Sequence, residues 1–451
     1  MKIAIIGNMN NNGFALMRYF RDLGADAHLL LYANDSIDTL SHFKPEDDAW
    51  DYSKWAPYVH QTPIINSIYT GANGVWSSLF YMWLMIARRL RGEQLPKNVA
   101  LSAGSLRRAL DGYDYYIGSG IAPAVFYRCK RPLHIFYPYS TGVEFLGHQV
   151  LTSKLPKMSL IKRILINKCI ANQKKGVLLA QRVINSELSL TASVLNSIGR
   201  DFNRIAVPMV YREPKSNPRC SEYSDLLINA LSIIGSVRFV VFSSSRQLWV
   251  NPGHFIEEQW KRESKNSDWL IRGFAKLIHA RPNQQLLLVL MEYGPDVTAS
   301  KKLSKELGVD RFVLWVPKLS RKELFVLMRE VSVIAGEFKD VDEMIWGGSG
   351  WEALASSKPL IHSFRFDKSR YEDLYGIPRP PVLAVTRKED VYDHLLNMLD
   401  NPQSRYDIGK ASGDWFNQYN GIGLAKQWLD LLTIAPIEKH SKESTYRMMN
   451  G

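Results

Sequence analysis

Short apolar runs alternating with segments of helical spacing constrain this chain more than any other feature. Lys2 to Ile6 reads as a buried strand, Gly7-Asn-Met-Asn-Asn-Asn-Gly13 as a turn, Phe14 to Leu23 as a helix, and Ala27 to Tyr32 as a second strand. Strand, helix and strand in that order argue for a parallel sheet. The pattern resumes at Tyr115-Tyr-Ile-Gly-Ser-Gly, Leu133-His-Ile-Phe-Tyr and Arg182-Val-Ile-Asn. After a polar stretch holding Pro214 and Pro218 it restarts, with strands at Val237–Phe242, Gln285–Leu290, Phe312–Val316, Val331–Ala335 and Pro359–His362. Helices fit between them at Asp268–His279, Lys301–Leu307 and Arg321–Arg329. A chain of 451 residues exceeds one ordinary core. The expected division is a first lobe over 1–210, a linker over 211–234 and a second lobe over 235–405. Helices over 406–437 would pack back on the first lobe, and 438–451 would form a disordered tail. Residues 35–75, acidic, aromatic and poorly periodic, read as an insertion over the open end of the first sheet.

Charge narrows the partners. The net charge is +13, and Leu151 to Lys215 holds 12 Lys/Arg against 3 Asp/Glu. Val75 to Ala87 is almost wholly apolar and runs into Arg-Arg-Leu-Arg; its 13 residues fall short of the roughly 20 that span a bilayer. Two readings stay open: a core helix with a solvated basic end, or an interfacial helix against anionic lipid. The tract Lys154, Lys157, Lys162, Arg163, Lys168, Lys174 and Lys175 favours the membrane surface. Nucleic acid is not expected, since these basic residues sit among aliphatics and outside any reader motif. Three unclustered cysteines (Cys129, Cys169, Cys220) suggest neither a metal site nor a disulfide framework, and hence a reducing compartment. Met-Lys-Ile-Ala-Ile-Ile-Gly turns polar too soon for a signal peptide.

The stretch Trp346-Gly-Gly-Ser-Gly-Trp-Glu352-Ala-Leu-Ala-Ser-Ser-Lys-Pro-Leu-Ile361 carries the chemistry. A glycine-rich loop lets backbone N–H groups approach an anion, and the following helix start adds a favourable dipole end. A carboxylate repels phosphate but accepts hydrogen bonds from paired hydroxyls. Loop and Glu352 together read as a sugar-nucleotide site.

The second half resembles the donor-binding lobe of the family-4 retaining glycosyltransferases, and the matching pieces come in that family's order. Val240-Val-Phe-Ser-Ser-Ser-Arg246 resembles its donor-site strand and arginine. Lys265-Asn-Ser-Asp-Trp-Leu-Ile-Arg-Gly-Phe-Ala-Lys resembles its lysine and helix. Leu286 to Pro295, Leu307-Gly-Val-Asp-Arg-Phe-Val-Leu-Trp, Leu319-Ser-Arg-Lys-Glu-Leu and the Glu352 run continue the series, which covers most of 235–432. The resemblance implies an α/β GT-B fold, with two Rossmann-like doubly wound lobes facing each other across a cleft. It implies Arg246 and Lys265 on the donor diphosphate, where cations gain as negative charge builds on the leaving group. Glu352 matches the second glutamate of a two-glutamate signature and is assigned to the ribose. The first would lie eight positions earlier, at Met344, so Glu343 takes that place or the role is missing. Gly347, Gly348 and Gly350 would give backbone contacts to phosphate or sugar.

In the first half, Gly13 resembles the glycine that admits acceptor and donor phosphate to the first helix. Tyr139-Ser-Thr-Gly142-Val-Glu144 resembles a loop whose acidic residue binds or polarises the attacking hydroxyl, with Glu144 in place of the commoner aspartate. Ser186 resembles a serine lining the cleft, and His134 reads as a hydrogen-bonded core histidine. Asp340-Val-Asp342 has the spacing to hold a divalent cation, but the GT-B resemblance implies metal independence and no cofactor beyond the nucleotide sugar.

The expected protein is therefore a retaining glycosyltransferase, cytoplasmic and peripheral on the inner face of the plasma membrane. It would move a hexose from a UDP- or GDP-sugar to a glycan or lipid-linked saccharide in surface polysaccharide synthesis. Departure and attack would share one face of the sugar, the leaving phosphate taking the acceptor proton. A sugar-nucleotide epimerase or hydrolase of the same architecture, or a non-catalytic partner subunit, are the alternatives.

Overall fold

The computed structural model describes residues 1–33, 44–72, 99–139, 143, 146, 158–185, 190–213, 222–253, 255–341 and 347–434. Two compact units emerge: 1–46, 51–211 and the chain from 422 onward in the first, and 47–50 with 212–421 in the second.

The first unit holds β1 (Lys2–Ile6), β2 (Asp26–Leu31), β3 (Val59–Gln61), β4 (Tyr115–Gly118), β5 (Ile135–Phe136) and β6 (Arg182–Val183). They lie in the order β3-β2-β1-β4-β5-β6, with every pairing parallel. Ile5 of β1 registers with Leu29 on one side and Ile117 on the other, and is fully buried. Central parallel strands are covered on both faces, so they read as continuous apolar runs. The helices α1 (Asn12–Asp22), α2 (Ala122–Cys129) and α3 (Leu160–Leu179) follow the strands in chain order. The core includes Ile6, Leu30, Phe126, Phe136 and Val183. The closing helix Ile422–Thr433 joins this unit: Trp428, fully buried, donates its indole N–H to the Ala206 carbonyl at 2.9 Å.

The second unit repeats the plan. β7 (Phe239–Ser243), β8 (Leu286–Met291), β9 (Val313–Val316), β10 (Val333–Ala335), β11 (Leu360–Ser363) and β12 (Val382–Val385) pair in the order β12-β11-β10-β7-β8-β9. All of these pairings are parallel. Its helices include α4 (Ser267–Ala280), α5 (Val297–Glu306), α6 (Arg321–Glu330), α7 (Gly348–Ala355) and α8 (Lys388–Asp400). Phe239, Val241, Ile271, Phe274, Leu288 and Ile361 pack in one core. Each fully buried side chain of this kind contributes roughly 1.5–3 kcal/mol before conformational entropy is subtracted. The helix Pro402–Tyr419 lies in this unit.

With the first strand of each unit numbered 1, both sheets run 3-2-1-4-5-6 from edge to edge, the doubly wound order. Chain direction through the sheet reverses between β1 and β4 in one unit and between β7 and β10 in the other. Loops leaving the strand C-termini diverge there and open a crevice. Two strands escaped the sequence reading: β3, three residues of Val-His-Gln, and β12. The stretch 35–75 thus supplies an edge strand, where an insertion was expected. Residues 47–50 within it join the second unit.

Candidate donor site in the second unit

The loops after β7, β8, β9 and β10 meet helix α7 around a pocket of about 360 Å³. Ser244, Ser245 and Arg246 come from the first loop, Met291 from the end of β8 and Tyr293 from the loop after it, Lys318 and Leu319 from the third, and Glu337 from the fourth. Lys265, Leu324, Ser349 and Glu352 complete the lining. This is the switch point between β7 and β10, where an open parallel sheet offers its crevice.

Arg246 and Lys265 lie 19 residues apart yet share this wall. The excursion between them closes on itself: the Lys265 N–H donates to the Leu248 carbonyl at 2.7 Å. The Asn266 side chain donates to the Phe338 carbonyl at 2.7 Å, and the Phe338 N–H to the Lys265 carbonyl at 3.1 Å. Asn266 takes a left-handed φ of 44°, which turns the chain into α4. On the other flank Gln247 is bound in register with the β8 loop, its N–H donating to the Tyr293 carbonyl at 2.8 Å. Gly294 permits that approach. With φ +120°, a Cβ there would stand 2.4 Å from the Gln247 oxygen and 2.7 Å from Arg246 Cγ.

Lys265 is not a free cation. Its ammonium donates to Glu337 Oε2 at 2.6 Å, with both side chains mostly buried. Lys339 Nζ lies 3.7 Å from the same oxygen. Burial pushes the Glu337 carboxyl up, but Lys265 and then Lys339 outweigh it and leave it below the ordinary range. Lys339 moves the other way: burial and the neighbouring Lys265 charge lower it to about 8, against the pull of Glu337. His362, fully buried behind Gly336, is held down to about 4 by desolvation. It is therefore neutral at neutral pH and pulls on Glu337 only in acid. The Arg246 guanidinium is exposed and has no ion-pair partner among the described residues.

Also in the lining, Glu352 sits one turn into α7 and is 8% exposed. Arg321 Nε donates to its Oε1 at 2.9 Å and lies 3.7 Å from the buried Asp48. Arg321 is set by its helix start: the Ser320 hydroxyl and N–H both donate to Glu323 Oε2, a capping box. Gly347 caps α7 with a negative φ, and a Cβ there meets nothing within 4 Å. A Cβ on Gly348 would come no closer than 3.8 Å, to Arg321. Backbone strain therefore does not explain these two glycines; they leave space beside Glu352.

Three buried hydroxyls in the lining, those of Ser244, Ser245 and Ser349, have no hydrogen-bond partner among the described residues. Buried polar groups are seldom left unpaired. Donors of this kind beside two lysines and an arginine suit the oxygens of an anionic ligand, while the Glu352 carboxylate suits hydroxyls.

Of the residues singled out from the sequence, Arg246, Lys265 and Glu352 line this pocket, and Gly347, Gly348 and Gly350 surround the start of α7. Gly13 lies in the first unit, in α1, where a Cβ would stand 2.2 Å from the Gly7 carbonyl oxygen. Glu343, Glu144 and Ser186 lie outside the described residues. His134 Nδ1 accepts from the Tyr116 N–H at 3.1 Å, and burial lowers its pKa. Asp340 is bound by Arg365 at 2.6 Å, and Asp342 is outside the described residues. No metal-binding group of His, Cys, Asp and Glu occurs among the described residues. Sequence reasoning missed Glu337, Arg321 and Lys318. The signal for Glu337 was an acidic residue directly after Val333-Ile-Ala-Gly336, at a strand end.

No family model and no curated protein matches the sequence. Solved structures do match over nearly the whole chain. The Anabaena protein HepE, solved with UDP and glucose, is similar with a TM-score of 0.54 at 14% identity, covering 96% of this chain and 99% of that one. A glycosyltransferase from Rickettsia africae is similar with a TM-score of 0.53 at 12% identity, over 96% of this chain and 98% of its own. A Listeria monocytogenes protein assigned as a UDP-N-acetylglucosamine 2-epimerase gives a TM-score of 0.50 at 12% identity, over 98% and 100%. At such identities likeness carries the fold alone, and with two doubly wound parallel sheets that fold is GT-B.

Proposed function

We propose that this chain is a glycosyltransferase that moves a hexose from a UDP- or GDP-sugar to a hydroxyl of a glycan or lipid-linked saccharide, with retention of configuration. The observation that carries this reading is the gathering of Arg246, Lys265, Lys318 and Glu352 around one pocket at the switch point of a parallel sheet. In this reading Arg246, Lys265 and Lys318 take the diphosphate, and the Ser244, Ser245 and Ser349 hydroxyls donate to its oxygens. Glu352, oriented by Arg321, accepts from the ribose hydroxyls through the oxygen that Arg321 leaves open. Negative charge grows on the phosphate as the anomeric C–O bond lengthens, so preorganised cations favour the transition state over the ground state. Gly13, Glu144 and Ser186 are assigned to the acceptor, and Glu343 to the donor sugar. No metal is required. HepE was solved with UDP and glucose, and separately with UDP-glucose, on the same fold, which is consistent with a uridine nucleotide donor.

Surface polysaccharide synthesis at the inner face of the plasma membrane fits the basic helix α3. Its first turns expose Leu160, Ile161 and Ile164 beside Lys162 and Arg163, a pairing that suits an anionic lipid surface. No described helix is long and apolar enough to cross a membrane.

Thermal-shift screening against UDP-glucose, UDP-galactose, UDP-N-acetylglucosamine and GDP-mannose tests the site. A ligand at a hundredfold excess over Kd stabilises by about 2.7 kcal/mol. Stabilisation by one or more of them, lost in Arg246→Ala, supports the reading; indifference to all four contradicts it. The Listeria protein shows the fold hosting a protein assigned as an epimerase. Acceptor-independent turnover of the donor would establish that second reading, epimerase or hydrolase, in place of transfer.

A further inference from the structure

An anion site that contains a buried carboxylate needs an explanation. Glu337 lines the pocket beside Arg246, Lys265 and Lys318, with its side chain 13% exposed. Its Oε2 is held by Lys265 at 2.6 Å and faces Lys339 at 3.7 Å, while Lys339 itself donates to the Arg262 carbonyl at 3.1 Å. Oε1 has no hydrogen-bond partner among the described residues. The two lysines keep the carboxyl ionised at neutral pH against the pull of burial.

A phosphate oxygen bound to the Lys265 ammonium at about 2.8 Å stands within the sum of two hydrogen-bond lengths of Glu337 Oε2. Like charges that close repel appreciably in a partly buried site. The two nucleotide forms the site could meet differ in this respect. In a nucleotide sugar the terminal phosphate is esterified and carries one charge. In the free diphosphate it ionises again near a pKa of about 6 and carries nearly two. The esterifying sugar also brings hydroxyls, which the open Oε1 can accept; a bare phosphate oxygen brings none.

From this geometry we infer that Glu337 is a specificity-determining residue, which makes the pocket prefer a nucleoside diphosphate esterified by a hydroxyl-bearing glycosyl group over the free nucleoside diphosphate. The inference rests on the donor-site reading above and adds to it how the spent nucleotide leaves. When the anomeric C–O bond breaks, its electron pair goes to the phosphate, which takes the acceptor's proton; at neutral pH that proton passes on to solvent, the extra charge then stands beside Glu337, and the product is pushed out. The same carboxylate opposes bond breaking, and Arg246, Lys265 and Lys318 offset it.

Calorimetric titration of the full chain tests this at neutral pH, with UDP, UDP-glucose, UDP-galactose, GDP and GDP-mannose as probes. The proteins are the wild type, Glu337→Gln and the charge-keeping Glu337→Asp. In Glu337→Gln the free diphosphate tightens about tenfold, while the best-bound nucleotide sugar changes by less than about threefold. Glu337→Asp keeps the wild-type ratio. If both ligands shift by the same factor in Glu337→Gln, or the free diphosphate weakens more, Glu337 merely positions Lys265 and the inference is overturned. A comparison without substitution stands beside it: the wild type binds the β-methyl ester of UDP roughly fivefold tighter than UDP, and equal or weaker binding of the ester overturns the inference too. Failure of the wild type to bind any of these nucleotides would sink the donor-site reading itself, and this inference with it.

Discussion

Replacing Lys265 with methionine keeps the length of the stem and removes the charge, and its consequences can be worked from the geometry. Glu337, 13% exposed, loses the partner that donates to it at 2.6 Å. Breaking a buried pair by removing one member typically costs about 3–5 kcal/mol, because the other charge stays uncompensated. Lys339 remains 3.7 Å away and offsets part of this, so a loss of about 2–3 kcal/mol is expected. For a unit near this size that lowers the melting temperature by about 5–10 °C. The pH dependence has a definite sign. Wild-type Glu337 titrates below its ordinary 4.5, so the stability it contributes is present above 4.5 and lost as pH falls through the lowered value. The deficit of Lys265→Met should therefore be full at neutral pH and close once the medium is acid enough to protonate Glu337. Scanning calorimetry across that range measures it, and Lys265→Met/Glu337→Gln should recover most of the stability. Affinity for UDP or GDP should fall about 10–100-fold in the single variant, since attraction is lost and the repulsion of Glu337 is unmasked. A variant as stable as the wild type, with unchanged nucleotide affinity, would show that Lys265 neither stabilises Glu337 nor binds the nucleotide.

Three further outcomes are expected. Glu352→Gln should reduce the preference for UDP over 2′-deoxy-UDP by about tenfold, measured by calorimetry, because a charge-assisted hydrogen bond to the ribose is lost; an unchanged ratio would take the ribose away from Glu352. Gly294→Ala should cost about 1–3 kcal/mol and weaken nucleotide binding, since its Cβ would stand 2.4 Å from the Gln247 oxygen at φ +120°; unfolding and titration of one preparation check both effects. Buried His362, whose pKa is lowered from 6.5 to about 4, resists protonation in the native state. His362 should therefore contribute a loss of about 3 kcal/mol as pH drops from 6.5 to 4, and His362→Asn should remove that part of the slope in denaturant titrations.

Much of this architecture could be read from residues alone, because central parallel strands are apolar on both faces. Leu286–Met291 of β8 is buried throughout, and its run of Leu-Leu-Leu-Val-Leu-Met permits little else. The edge strand Val59–Gln61 has no such signature: three mixed residues, half exposed to water, show no period to detect. The same division runs through the pocket. Arg246, Lys265 and Glu352 were legible because ordered local patterns flank them. The Lys265–Glu337 pair spans 72 residues and was not, since no local pattern records which acid a lysine meets across a sheet. Glu343, picked out by its distance from Glu352, lies outside the described residues, and the further carboxylate of the lining, Glu337, follows β10. Arg321 was quoted as part of a helix start and given no role. Its use depends on Glu352 lying 2.9 Å away, which tertiary packing alone decides.

A crystal structure of the chain with UDP bound would decide whether this pocket holds the donor nucleotide. The donor-site reading requires diphosphate oxygens within about 3 Å of the Arg246 guanidinium and the Lys265 ammonium, with the ribose hydroxyls on Glu352. UDP bound elsewhere, or seated with its ribose away from Glu352, would contradict it.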